Sequence, residues 1–133
     1  MLIAGLYAGL GALLIIVLAM RVMWLRNTHG VGLGSGGHES LARAIRAHAN
    51  AIEYLPIALL LLVVLAFEQT RPWLLHLFGI VLIAGRSLHA IGLSGSPGRS
   101  FGRATGIALT VLVMLAMAVL LVVRFAMLAA IGG

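Results

Sequence analysis

Four polar residues in one stretch have types and spacing suited to binding a charged small molecule. Their spacing is i, i+3, i+7 and i+10, and they are Arg43, Arg46, Asn50 and Glu53. On an α-helix this polar stripe occupies an arc of about 80° on one face. Two guanidinium groups, an amide and a carboxylate suit a zwitterionic ligand with carboxylates and an ammonium, because an arginine fork binds a carboxylate through paired hydrogen bonds. The competing interpretation is a polar seam that only fastens helices together.

The polar stripe lies on the second predicted helix, which is polar in its first half and apolar in its second half. Residues 54–67 follow the stripe and are almost purely apolar. This segment rises about 21 Å as a helix, whereas the hydrocarbon core of a bilayer is about 30 Å thick. About 9 Å of the span must therefore come from residues before Tyr54, which places Asn50 and Glu53 below the membrane surface. Ionisable residues at that depth need partners and indicate a functional site.

The composition of the whole chain is that of an integral membrane protein. Of its 133 residues, 62% are hydrophobic and only 9% are charged, whereas soluble domains carry about 25% charged residues. The apolar runs predict one all-α domain over residues 1–133, with spans near residues 2–26, 41–67, 72–92 and 102–124. The first run is too long for the apolar region of a cleaved signal peptide and lacks a basic segment before it.

The basic residues predict the orientation of the chain in the membrane. All of them are arginines, and the net charge is +6. The loops after the first and third spans hold or border Arg21, Arg26, Arg43, Arg46, Arg86, Arg99 and Arg103. The positive-inside rule puts these two loops in the cytoplasm and both termini outside. Since topology explains the cations, we expect no nucleic-acid partner.

The connections and helix ends give further expectations. Ser40 is a candidate N-cap of the second helix, and Pro56 should kink that helix. His29 and His38 lie in a glycine-rich loop without the carboxylate or thiol pattern of a metal site, so we expect none. Two small-residue motifs, Gly5-x-x-x-Gly9 and Gly102-x-x-x-Gly106, indicate close helix packing.

The converging helix ends could activate a thiol. Arg86 and His89 share one face of the third span, and their alternatives are snorkelling toward the headgroups or a role in a site. The chain has no Cys, so a thiol must arrive with a ligand. Lowering the pKa of a thiol from about 8.5 by two units takes about 2.7 kcal/mol, which one or two nearby guanidinium groups can supply. An apolar electrophile could then approach from the lipid.

Two motifs resemble those of a known family. Residues 46–56 read Arg-Ala-His-Ala-Asn-Ala-Ile-Glu-Tyr-Leu-Pro, and residues 85–89 read Gly-Arg-Ser-Leu-His, followed by a basic loop with Arg99-Ser100. They resemble the signature of the MAPEG family, the membrane-associated proteins of eicosanoid and glutathione metabolism. The resemblance covers essentially the whole chain and is nearest to the short bacterial members.

The resemblance implies a four-helix bundle that assembles as a homotrimer in the bacterial inner membrane. Glutathione would be the co-substrate, bound between protomers near the cytoplasmic face, and a lipophilic small molecule would be the second substrate. The positions that match the family's glutathione contacts are Arg26 (or Arg21), Arg46, Asn50, Glu53, Tyr54, Arg86 and His89. Arg99 with Ser100, or Arg103, matches the catalytic region that activates the thiol.

Two departures from the family pattern narrow the expected activity. Leu93 stands near the place of a family tyrosine, and Arg103 stands where another tyrosine is common. They favour a general glutathione transferase or peroxidase over an enzyme of prostaglandin or leukotriene synthesis. Two alternatives stay open. One is a non-catalytic trimer in which the polar stripe only fixes packing. The other is a small transporter, which the apolar remainder of the second and fourth spans disfavours.

Overall fold

The computed structural model describes residues 1–95 and 100–132, and its regular elements over these residues are four long α-helices. They are α1 (Leu2–His29), α2 (Glu39–Phe67), α3 (Pro72–Gly95) and α4 (Phe101–Gly132). Each helix is long and apolar enough to cross a membrane. The helices extend beyond the predicted apolar spans, most of all α4, which continues past residue 124 to Gly132 through a mostly apolar segment.

Helix α2, like α3, contacts the other three helices. Its inward face is fully buried at Leu55, Leu62 and Leu65. Pro56 points outward, and α2 continues through it to Phe67. Burial of this apolar face fixes the orientation of α2 about its own axis. That orientation determines which way the polar stripe faces.

Helices α3 and α4 approach each other through glycines. A Cβ atom placed on Gly106 of α4 would lie 2.5 Å from the backbone oxygen of Gly85 in α3. One placed on Gly92 would lie 2.6 Å from the backbone nitrogen of Arg103. The close packing predicted for Gly102-x-x-x-Gly106 is therefore confirmed, and it brings polar groups of the two helices within hydrogen-bonding distance.

Helix α1 packs on α2 and α3. The Tyr7 hydroxyl lies 2.8 Å from His76 Nδ1, and the Tyr7 ring covers Gly79 of α3. By contrast, a Cβ atom on Gly5 or Gly9 would meet nothing within 4 Å. The first small-residue motif thus has no partner within the described part of the protomer.

The predicted N-cap at Ser40 is wrong. Helix α2 begins at Glu39, two residues before the predicted start at Leu41, and His38 occupies the cap position without a side-chain hydrogen bond. Ser40 is already helical, so its hydroxyl cannot cap the helix and instead lies 3.3 Å from His29 Nε2.

Candidate functional site

A cleft of about 540 Å³ opens at the arginine-rich end of the bundle, between α2, α3 and α4. Its polar lining consists of Glu39, Arg43, Arg46, Asn50 and Tyr54 from α2, His89 from α3 and Arg103 from α4. Three guanidinium groups against one carboxylate give the cleft a net positive charge. It therefore favours a ligand with more than one anionic group.

The polar stripe is only partly inside this cleft. Arg43 donates to Glu39 across 3.1 Å, which leaves its charge partly compensated. Asn50 is half-buried, and its amide nitrogen donates to the Glu53 carboxylate at 3.4 Å. Glu53 itself is exposed on the outer side of α2 and does not line the cleft within the protomer. Arg43, at one end of the stripe, therefore lines the cleft, whereas Glu53, at the other end, lies outside it, although both lie on the same helix face.

Arg86 is buried inside the bundle, with 2% of its surface exposed. Its Nε donates to the Thr110 hydroxyl at 2.8 Å, and its Nη1 donates to the Asn50 side-chain oxygen at 2.7 Å. The guanidinium carbon lies 5.1 Å from the centre of the Tyr54 ring, a cation–π distance. The snorkelling interpretation of Arg86 is therefore wrong, because the side chain joins α3 to α2 and α4.

The position of Arg86 behind the cleft wall determines how it acts. It does not line the cleft, and Asn50 and Tyr54 stand between it and the open space. Because Asn50 Oδ1 accepts from Arg86, the Asn50 amide nitrogen is the end that faces Glu53. Arg86 Nη2 is buried and has no hydrogen-bond partner among the described residues. This cation therefore orients the cleft wall and attracts anions through it.

Thr110 is a residue of this cluster that the sequence analysis missed. It is fully buried, accepts from Arg86 and donates to the backbone oxygen of Gly106 at 2.8 Å. The signal that could have found it is its spacing, since Gly102, Gly106 and Thr110 follow i, i+4 and i+8. These three positions share one helix face, so the glycine motif that predicts contact with α3 also places the hydroxyl there.

The start of α4 holds the proposed thiol-activating region. Ser100 precedes the helix and accepts from the backbone N–H of Arg103 at 3.3 Å, the geometry of an N-cap. Its hydroxyl also donates to the Gly92 oxygen at 3.2 Å and does not line the cleft. Arg103 does line it. Arg99 lies outside the residues that the structure describes.

His89 connects this region to α3. Its Nδ1 lies 3.0 Å from the backbone oxygen of Arg103, and the residue is 9% exposed. It also lines the cleft, next to Leu93 on the same helix. The imidazole is therefore held in a fixed orientation with one edge toward the space where a ligand would lie.

Neither arginine of α1 reaches the cleft. Arg26 donates from Nη1 to the backbone oxygens of Val31 and Gly32, at 3.3 and 3.1 Å, and so fastens the following loop. Arg21 borders a separate, mostly apolar groove between α1 and α3. The reason is topological, since α1 packs on α2 and α3 whereas the cleft opens beside α4.

His29, the last residue of α1, and His38, the cap residue of α2, stack on one another. The ring centroids of His29 and His38 are 4.0 Å apart, with nearly parallel planes. Over residues 1–95 and 100–132, no three His, Asp or Glu side chains come together in a way that could hold a metal ion.

Comparison with known proteins agrees with the motifs and the fold. The model of the MAPEG family matches residues 4–123, which include almost all of α1 to α3 and most of α4. Inner membrane protein YecN, from two strains of Escherichia coli, is 42% identical to this chain over 90 residues. That alignment covers 68% of this chain and 69% of the relative. With its four helices, its second-helix motif and this match over most of its length, the chain belongs to the MAPEG family.

Proposed function

We propose that this protein binds glutathione within the membrane and activates its thiol for attack on lipophilic electrophiles or hydroperoxides. It would then act as a glutathione transferase or peroxidase. The observation that carries the proposal is the cleft, which is lined by Arg46, Asn50 and Tyr54 of the second-helix motif together with His89 and Arg103. Glutathione has two carboxylates, an ammonium and a thiol, and the net positive cleft suits its anionic groups.

The chemistry assigned to each group follows from charge and position. Arg46, which is exposed, is the candidate for a carboxylate, and Arg103 is the candidate for stabilising the thiolate because it is half-buried and lines the cleft together with His89. Ser100 uses its hydroxyl in the N-cap of α4, which favours Arg103 over Ser100 as the activating residue. Leu93 and Ile107 supply apolar surface on which a lipophilic electrophile could lie.

We propose a homotrimer with sites between protomers. Glu53 is exposed in the protomer although it lies about 21 Å along α2, a helix about 43 Å long. A charge opposes insertion by about 2.5–3.5 kcal/mol at the centre of the apolar span and by less near its end, where Glu53 lies, so a neighbouring chain that covers Glu53 would stabilise the assembly. Such a neighbour could also bring its own Arg26 to the cleft.

The proposed location is the bacterial inner membrane, with the site toward the cytoplasm and both termini outside. The distribution of arginines supports the orientation. The E. coli relative carries the name of an inner membrane protein, which supports the location.

The test is a glutathione titration of the detergent-purified protein, read by the ultraviolet absorbance of the thiolate. Arg46→Ala should weaken binding by about tenfold or more, because a hydrogen bond to a charged group contributes about 1.5–3 kcal/mol. Glu53→Ala should weaken it as well. The matched control is Arg71→Ala, since Arg71 is exposed at the opposite end of the bundle and should leave binding unchanged.

Each outcome of the titration discriminates between the candidate functions. If glutathione binding is not saturable, the proposed function is refuted. Binding without a thiolate signal identifies a binding protein without this catalysis. Should Arg46→Ala and Glu53→Ala dissociate the assembly while the remaining protein binds normally, the polar stripe serves packing. Size-exclusion chromatography of each variant provides that control.

A further inference from the structure

The hydrogen bond of His89 determines which of its ring nitrogens carries the proton. Nδ1 lies 3.0 Å from the backbone oxygen of Arg103. A carbonyl oxygen only accepts hydrogen bonds, so Nδ1 must be the donor. Imidazole is mostly neutral at pH 7. In the neutral ring Nε2 then has no proton and presents a lone pair.

That lone pair is available to a ligand. His89 lines the cleft, and no described residue forms a hydrogen bond with Nε2. It is also not one of the buried nitrogens without a partner, which among the described residues are Arg43 Nε and Arg86 Nη2. Since Nδ1 is turned to the Arg103 backbone and the residue lines the cleft, Nε2 is the ring nitrogen available on the cleft side.

We propose that His89 is the general base of this site and removes the proton from the glutathione thiol. The inference rests on the proposed function and adds a step to it. His89 thereby becomes a catalytic residue, where the resemblance implied only a glutathione contact. The hydrogen bond joins the ring to the Arg103 backbone, and His89 and Arg103, the candidate partner of the thiolate, both line the cleft.

The S–H bond breaks, its electron pair stays on sulfur, and the proton moves to Nε2. The thiolate then forms a C–S bond with an aryl chloride, chloride leaves with the C–Cl electron pair, and the imidazolium releases its proton to water. In water, where a free thiol has a pKa of about 8.5 and free imidazole one of about 6.5, this transfer is unfavourable by about a hundredfold. In the cleft, guanidinium groups stabilise the thiolate but oppose a positive charge on the imidazole, so the thiolate persists once the imidazolium has passed its proton to water.

The test compares His89→Asn with His89→Gln. The Asn amide nitrogen can replace Nδ1–H as donor to the Arg103 oxygen but offers no base, whereas Gln places its amide near Nε2 and loses that donor. We expect His89→Asn to bind glutathione within about threefold of the wild type. Its kcat for glutathione and chlorodinitrobenzene should fall by about 10²- to 10⁴-fold, the contribution of a general base. Thiolate formation in stopped flow should slow equally.

A second measurement does not depend on the amide variants. His89→Ala leaves space beside the cleft, and added imidazole should restore part of its activity in proportion to imidazole concentration. The inference is overturned if His89→Asn keeps kcat within threefold of the wild type. It is also overturned if imidazole leaves a folded His89→Ala variant inactive. If the wild type itself forms no thiolate, the proposed function is wrong. That result differs from the two above, in which the wild type is active and only the role of His89 is refuted.

Discussion

Replacing Thr110 with Val tests whether the buried cluster around Arg86 stabilises the bundle. Val has nearly the shape of Thr but no hydroxyl, so the packing at this fully buried position is kept. The substitution removes the acceptor that lies 2.8 Å from Arg86 Nε. Because Arg86 is only 2% exposed, water cannot replace the lost partner.

Two estimates give the range in which Thr110→Val should lower the free energy of unfolding. Hydrogen bonds between membrane helices contribute about 0.6 kcal/mol on average and about 1.7 kcal/mol at most. Loss of a hydrogen bond to a charged group costs about 1.5–3 kcal/mol. The donor here is a guanidinium that already has one buried nitrogen without a partner among the described residues. The range for hydrogen bonds to charged groups therefore applies better than the average for membrane helices. We expect Thr110→Val to lower the free energy of unfolding by about 1.5–2 kcal/mol.

The assay is equilibrium unfolding in mixed micelles, with dodecyl sulfate as denaturant and circular dichroism as the signal. Thr105→Val is the matched control, because Thr105 is half-buried on the same helix and has no described hydrogen bond. It should change stability by less than about 0.5 kcal/mol. A double-mutant cycle with Arg86→Met isolates the pair. Equal costs of Thr110→Val in the two backgrounds would refute the reasoning, since the hydroxyl would then act on something other than Arg86.

Two further substitutions test the packing of the bundle. Gly106→Ala should cost about 1–3 kcal/mol in the same unfolding assay, because the new methyl group would collide with backbone atoms of Gly85 and His89 that cannot move aside. Gly9→Ala is its control and should be neutral or slightly stabilising, and a loss as large as that of Gly106→Ala would contradict the packing argument. Tyr7→Phe should lower the free energy of unfolding by about 0.6–1.7 kcal/mol, since it removes the hydroxyl bonded to His76; an unchanged midpoint would mean that this bond adds nothing.

Much of the site on α2 could be predicted from the sequence because it depends on a single helix. The helical repeat fixes which side chains share a face, so the grouping of Arg46 with Asn50 needed no tertiary information. Hydropathy likewise predicts the four helices, since every backbone group in the bilayer must be hydrogen-bonded within its segment. The glycine motif of α4 was predictable because close helix approach has a compositional signature.

The rest of the site depends on how helices are rotated and shifted relative to one another, which no local pattern specifies. Arg86 has the same spacing from His89 whether it extends to the headgroups or turns inward, and only the position of Thr110 and Asn50 decides between these. The cap of α2 was mispredicted because propensity favours Ser40 while the loop geometry starts the helix at Glu39. The sequence alone therefore determined the membrane class, the helices and the face of the polar stripe. Tertiary packing decided which arginines are buried, which nitrogen of His89 is bonded to the Arg103 backbone and which side chains reach the cleft, because those depend on distances between atoms far apart in the chain.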